Sequence, residues 1–365
     1  MPSDIDGQIP EIEGPRLVIV NGMVDHALSR LDALPAGMQL ISLADASGDV
    51  AADLLERQHD EADDAFSIIN RAFGTGGALI QIDGTLEESI HIVDVTVPGP
   101  TQNASASRVI IEMAAGSSAT VFETRIGSGD TFGGSNVRTE ISLAADANLE
   151  HIILQDLPAT QIHLGRVDVT QATGSELRAR LFNLGSDYGR VAYYVHLAGE
   201  GANADLSGLY FGFGEQTLDQ QITVVHEAKD CTSRQSYRGV LDDASTGIWN
   251  GGVDVRPGAD GTDSEQSNDN LLLSRKAEVN TMPRLEILAD EVSCQHGATV
   301  GQLDAGQQFY LQARGVPLAE AKRMLSLGFV NELVMGLPDQ TVADWAQPWL
   351  AGELGQSRGA DEEAA

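Results

Sequence analysis

The chain is poor in the residues that most catalysts and surface binders depend on. Only two of its 365 residues are cysteine, Cys231 and Cys294. That is too few for a disulfide framework and fits a reducing cytosol. Lysine occurs three times, as Lys229, Lys276 and Lys322, and 54 acidic residues against 22 basic ones leave a net charge of −32. A surface so acidic repels phosphate backbones and anionic lipid, which disfavours nucleic-acid and membrane partners. No apolar run approaches the ~20 residues needed to span a bilayer. The opening Met1-Pro2-Ser3-Asp4-Ile5-Asp6 lacks the basic region and apolar stretch of a signal peptide. A soluble, cytoplasmic protein is expected. Nucleotide and hydrolase motifs are missing too. There is no Gly-x-x-x-x-Gly-Lys-Ser/Thr, no Gly-x-Ser-x-Gly and no His-Glu-x-x-His, and Gly74-Thr75-Gly76-Gly77 is only a fragment of a dinucleotide loop.

What is present is a strand-rich body. Hydrophobic residues make up 42% of the chain, enough for a sizeable core. From about Gly76, β-branched segments such as Ala78–Ile82, Ser89–Val93, Arg108–Glu112 and Arg138–Leu143 alternate with small, polar turns. The turns repeat: Gly116, Asp146, Gly174 and Gly201 mark similar Ala/Gly-rich corners at intervals of 30, 28 and 27 residues. Such a period signals a solenoid. With no helix between strands, the solenoid expected is a β-helix, whose stacked coils share one apolar interior. A β-sandwich is the competing architecture, but its hairpins would recur at shorter and less regular spacing.

Either end reads differently. Residues 1–15 look like a flexible leader. Leu17–Val20 reads as a short strand and Asn21-Gly22 as a turn. Asp49 is expected to cap a helical pattern whose apolar side is Ala52, Leu55, Ala62, Ala65, Phe66, Ile69 and Phe73, with His59-Asp60-Glu61 as a break. Beyond Leu303, Asp304 and Gln307 form a capping pair for a helix through Tyr310 and Leu311. Pro317 opens a second helix with the stripe Leu318, Ala321, Leu325, Phe329 and Leu333. Trp345 and Trp349 suit a short third helix. The helical region is either a cap over the open end of the coil or a partner surface. The expected organisation is a mixed α/β cap over 1–75, an all-β core over 76–302, a helical region over 303–351 and a disordered tail over 352–365.

The chemistry concentrates in Ser293-Cys294-Gln295-His296-Gly297. If the strand from Arg284 to Ala289 continues there, Cys294 and His296 project from one face, because side chains alternate. A thiol beside an imidazole can hold iron or zinc. A buried cysteine and a hydrogen-bonded histidine are the plainer alternative. Isolated zinc binding is unsupported, since no second ligand pair follows at finger-like spacing. Cys231, between Lys229 and Arg234, and the dispersed His91, His151, His163, His196 and His226 are better read as structural residues.

This region also carries a family resemblance. Gln266 to Ser274, Ala277-Glu278, Pro283 to Ile287, Cys294-Gln295-His296-Gly297-Ala298-Thr299-Val300-Gly301, Phe309-Tyr310-Leu311 and Arg314-Gly315 closely match the SufD family. Its members are scaffold subunits of the Suf iron–sulfur cluster assembly machine. The dense match covers roughly residues 231–335, and the N-terminal part looks shortened beside the family. The resemblance implies a right-handed parallel β-helix and a non-catalytic role. It implies pairing with SufB through the end of the coil near 280–302, and docking of the SufC ATPase on the C-terminal helices, here Leu318, Ala321, Leu325 and Phe329. ATP-driven closure of SufC would open the SufB junction. There His296 would serve as an iron ligand shared with the partner, with Cys294 beside it, for a transient iron–sulfur cluster or iron. The family assembly is linked to reduced flavin, although no residue here identifies a flavin site. The sequence does not decide whether the isolated chain is a monomer or a homodimer. Two other functions compete: a SufB-like, self-pairing SufBD protein and, more remotely, a β-helix polysaccharide lyase.

Overall fold

A computed structural model describes residues 9–46, 64–74, 76–99, 104–129 and 131–335. The strands are β1 (Arg16–Val20), β2 (Met23–Val24), β3 (Met38–Ser42), β4 (Gly76–Ile82), β5 (Ile90–Thr96), β6 (Ala104–Met113), β7 (Ser118–Gly127), β8 (Gly133–Leu143), β9 (Asn148–Asp156) and β10 (Gln161–Gln171). They continue as β11 (Glu176–Asn183), β12 (Tyr188–Leu197), β13 (Asn203–Gly212), β14 (Thr217–His226), β15 (Thr232–Leu241), β16 (Thr246–Val255), β17 (Asp263–Leu272), β18 (Glu278–Ile287) and β19 (Ser293–Gly301). Helix α1 (Ala65–Phe73) precedes β4, and α2 (Ala305–Ala313) and α3 (Leu318–Met335) follow β19.

From β4 to β19 successive strands alternate between two parallel sheets, one of ten strands ending at β19 and one of nine ending at β18. The fold is therefore a parallel β-solenoid, as the turn period implies. Each coil sits in register on the last. Ile80, Ile111, Ile141, Val169, Val195, Val224 and Val253 form one stacked row, each almost fully buried. Each such side chain stabilises the stack by roughly 1.5–3 kcal/mol.

The corners explain the repeat. Gly116, Asp146, Gly174, Gly201 and Asp230 all have positive φ, from 56° to 70°. Each donates its N–H to a carbonyl of the next corner, as Gly174 does to Glu200 at 3.0 Å and Gly201 to Lys229 at 3.0 Å. The left-handed conformation turns the chain sharply, and glycine, asparagine and aspartate adopt it most readily. Room at the corners differs: a Cβ on Gly174 would lie 2.4 Å from Oδ1 of Asp146, whereas one on Gly116 or Gly201 would meet nothing within 4 Å.

The N-terminal region is part of the same sheets. β1 pairs parallel with β5, while β2 and β3 add antiparallel edges to β1 and β4. Asn21 and Gly22 form the expected turn, with φ of 48° and 84°. Two expectations need correction. The second half of the supposed leader is packed, with Ile9 and Ile12 buried against the sheets; residues 1–8 lie outside the described residues. Helix α1 is capped by Asp64, whose Oδ1 accepts from the Ser67 N–H at 2.9 Å; Asp49 lies outside the described residues, as does the break at 59–61. The supposed apolar side of α1, Phe66, Ile69 and Phe73, is exposed, whereas Ser67 and Asn70 are buried. Polar docking decides this. The Asn70 amide donates to the carbonyls of Ser107 at 2.9 Å and Asn136 at 2.8 Å on the nine-stranded sheet.

The C-terminal helices begin as expected, with Asp304 Oδ1 accepting from the Gln307 N–H at 2.7 Å. They do not cap the open end of the coil. Val330 is buried and Leu327 and Phe329 half-buried against Phe211, Phe213 and Val240, on the outer face of the ten-stranded sheet. Arg238 donates to the Phe329 carbonyl and lies over its ring at 5.4 Å. The third helix expected around Trp345 and Trp349, and the tail from 352, lie outside the described residues.

Candidate functional site at the open end of the solenoid

The last coil is β18 and β19. Among the described residues each is the outermost strand of its sheet, hydrogen-bonded on one side only, to β16 and β17 respectively. A flat unpaired edge is a template for another chain. Apolar side chains crowd this rim: Met282, Ile287, Leu288 and Val300 are exposed.

Cys294 and His296 belong to rows that point into the solenoid. One row runs Ala119, Leu149, Leu177, Ala204, Ser233, Ser264, Cys294. The other runs Val121, His151, Ala179, Leu206, Gln235, Gln266, His296. The last buried members beneath them, Ser264 and Gln266, are each 1% exposed. Because no coil follows, Cys294 is only half-buried and His296 is exposed. The two therefore share a face, and that face is the mouth of the interior.

Both rows are polar in the two coils directly below the rim. Ser233 Oγ lies 2.9 Å from Ser264 Oγ and 2.8 Å from His226 Nε2. The Gln235 amide donates across the interior to the Gly252 carbonyl at 3.1 Å, and the Gln266 amide donates to Gln235 Oε1 at 3.2 Å. Asn270 donates to the Thr299 carbonyl at 3.2 Å, tying the last coil down. Burial pushes the Cys294 thiol above its ordinary range, and Asp263 adds to this. The free chain therefore presents a thiol that must lose its proton to bind a metal.

Among the described residues no group of three or more His, Cys, Asp or Glu side chains could hold a metal ion. Cys294 and His296 are two side chains of soft-metal chemistry on one face, without a third beside them among the described residues. The remaining candidates are accounted for structurally. Cys231 is buried and hydrogen-bonds the carbonyls of Gly199 and Lys229, and burial raises its thiol rather than activating it. His151 bridges Glu123 at 2.9 Å and the Tyr193 hydroxyl at 3.1 Å. His163 lies between Ser135 and Arg125, His91 meets Thr124, and His196 pairs with Glu227 on the outside. A groove at the other corner is lined by Asp156, Asp187, Glu215 and Asp243 beside Phe213. Its carboxylates repel the phosphate of a flavin nucleotide, so the groove does not fit that cofactor.

Of the helical stripe, Leu318 is exposed, Leu325 and Phe329 are half-buried, and Ala321 is fully buried. The large apolar residues displayed by α2 and α3 are Phe309, Tyr310, Leu318 and Met324. Sequence spacing did not find Met324, because only the docking of α3 says which of its faces is spent on the sheet. Gln235 and Gln266 were also missed. Their signal was a glutamine at an inward position of an alternating strand.

Fold and site define a parallel β-solenoid whose last coil presents Cys294 and His296 at its rim. Residues 96–329 match the SufBD core domain of SUF-system iron–sulfur cluster assembly. The chain belongs to the SufBD family. It is 33% identical over 244 residues to the iron–sulfur cluster assembly protein SufD of Escherichia coli, covering 67% of this chain and 58% of that protein. It is 29% identical over 345 residues to a SufBD family protein of Synechocystis, covering 90% and 76%. A SufBD family protein of Mycobacterium tuberculosis is 32% identical over 267 residues, covering 68% and 65%. The chain thus spans little more than half of the E. coli relative. No helix among the described residues is long and apolar enough to cross a membrane.

Proposed function

We propose that the chain is a non-catalytic, SufD-type scaffold of iron–sulfur cluster assembly. It pairs with SufB by its open rim and carries the SufC ATPase on its C-terminal helices. One observation carries this reading: Cys294 and His296 stand together at the mouth of a coil whose two edge strands have no partner. A second solenoid with its own unpaired edges would extend both sheets by strand addition, burying Met282 and Val300. The nascent cluster or iron is the cargo. A neutral imidazole nitrogen and a thiolate from this side, completed by thiolates of SufB, give the mixed ligation that iron accepts. The face bearing Phe309, Tyr310, Leu318 and Met324 is the proposed SufC contact, while Phe329 and Val330 hold α3 to the sheet and Ala321 is buried.

Coexpression with SufB and SufC tests the proposal. The three should copurify, and His296→Ala should leave the complex intact while abolishing cluster maturation in cells. Normal maturation with His296→Ala would refute the assignment of the site. A self-paired chain that excludes SufB would favour the self-pairing alternative. Met324→Asp with Leu318→Asp should release SufC with unchanged circular dichroism; retention of SufC would remove that face from the proposal.

A further inference from the structure

We propose that Gln266 is a positioning residue for His296. Its side-chain carbonyl accepts a hydrogen bond from one imidazole N–H, which selects a single tautomer and leaves the other ring nitrogen bare toward the partner. The functional meaning rests on His296 being a ligand at the rim; the hydrogen bond itself does not.

Three observations lead there. First, Gln266 is the register partner of His296 on the adjacent strand, on the same inward face. Neighbouring strands lie about 4.8 Å apart, so an imidazole nitrogen can reach hydrogen-bond distance of the amide by rotation alone. Second, Gln266 is 1% exposed and its Oε1 has no hydrogen-bond partner among the described residues. An unpaired buried acceptor costs roughly 1–3 kcal/mol and requires an explanation. Third, the amide cannot turn round to satisfy that oxygen. The Gln235 amide nitrogen is committed to the Gly252 carbonyl, so Gln235 offers only its Oε1, which accepts from the Gln266 nitrogen. A flipped Gln266 would set two carbonyl oxygens against each other. The carbonyl of Gln266 is therefore what remains for the last coil.

The placement of this relay is specific. Along the same row the residues before Gln235 are Leu206 and Ala179, so the glutamines occupy only the two coils directly below His296. A histidine that binds a metal through one nitrogen commonly donates from the other to a carbonyl or carboxylate, which orients the ring. Gln266 has the chemistry, the burial and the fixed orientation for that task.

The test uses the full chain with 15N-labelled histidine, at about pH 8 where imidazole is neutral. Two-bond 15N–1H correlations distinguish the tautomers, and His296→Ala assigns the signal. Wild-type His296 should show one protonated and one bare nitrogen. Gln266→Met, close in shape and lacking the acceptor, should give averaged nitrogens while the His151 signals and far-ultraviolet circular dichroism stay unchanged. If Gln266→Met fails to fold, Gln235→Met reads the same device, since it frees the Gln266 amide to rotate, and should also average the signal. A wild-type average, or the same single tautomer in the folded variants, overturns the inference. In cells, Gln266→Met should lower cluster maturation roughly 10-fold, the usual effect of losing such a support. Normal maturation with His296→Ala alongside a scrambled tautomer in Gln266→Met would sink the functional reading and leave the hydrogen bond standing.

Discussion

Replacing Asp94 by asparagine should stabilise this protein at neutral pH and do nothing for it in acid. Asp94 is 5% exposed, and burial pushes its carboxyl up to about 6 from an ordinary 3.8, although the Ser107 hydroxyl and the Arg125 guanidinium oppose the rise and Glu123 adds to it. The folded chain therefore holds a proton that the unfolded chain has already lost between those two values. Stability from this group is complete below about pH 4 and falls as pH rises toward 6. A displacement of about two units corresponds to about 3 kcal/mol lost at pH 7. Asparagine keeps an oxygen for Ser107, which now donates to Asp94 at 2.5 Å, but a neutral hydrogen bond is weaker by up to about 1 kcal/mol. The variant should gain roughly 1–3 kcal/mol at pH 7 and nothing at about pH 4. Only the difference between wild type and variant isolates the effect. Burial holds His91 down to about 3, with Arg16 assisting, and His226 down to about 4. Both histidines thus remove stability as pH falls from about 6.5, opposing Asp94. Urea unfolding of both proteins from pH 4 to 8 measures the difference. A stability difference that does not vary with pH would refute the argument.

The corner and the two thiols give sharper, smaller tests. Gly174→Val puts a branched side chain at φ +65° with its Cβ 2.4 Å from Asp146 Oδ1, and should cost at least about 1–2 kcal/mol; an unchanged melting temperature would mean that the corners are not tightly stacked. Half-buried Cys294 should be alkylated in the native chain while buried Cys231 resists until unfolding. Asp263→Asn should hasten alkylation of Cys294 at neutral pH, because Asp263 helps to raise its thiol; equal rates would discount that charge.

Much of the architecture was legible because a solenoid writes its geometry locally. Gly116, Asp146, Gly174 and Gly201 were visible as markers since a corner that turns through positive φ tolerates few residue types. The alternation of Cys294 and His296 placed them on one face for the same local reason. Helix α1 was misread because its sequence displays an apolar face while its docking is done by Asn70. Whether the C-terminal helices cap the coil was left open by the sequence, because only the packing of Val330 and Phe329 shows that α3 lies on the side of the sheet. The site's surroundings were only half visible: the Cys-x-His pair stood out, but Gln235 and Gln266 acquire meaning only when strands about thirty residues apart are laid side by side.

The sequence by itself determined the repeat, the corner chemistry and the shared face of thiol and imidazole, because each depends on neighbours a few residues away. Only the tertiary structure decided that their face opens at an unpaired rim, and that a buried amide oxygen waits beneath His296. Register between coils is a long-range property, set by how whole strands stack, and no local pattern encodes which residue of one coil lies beneath a given residue of the next.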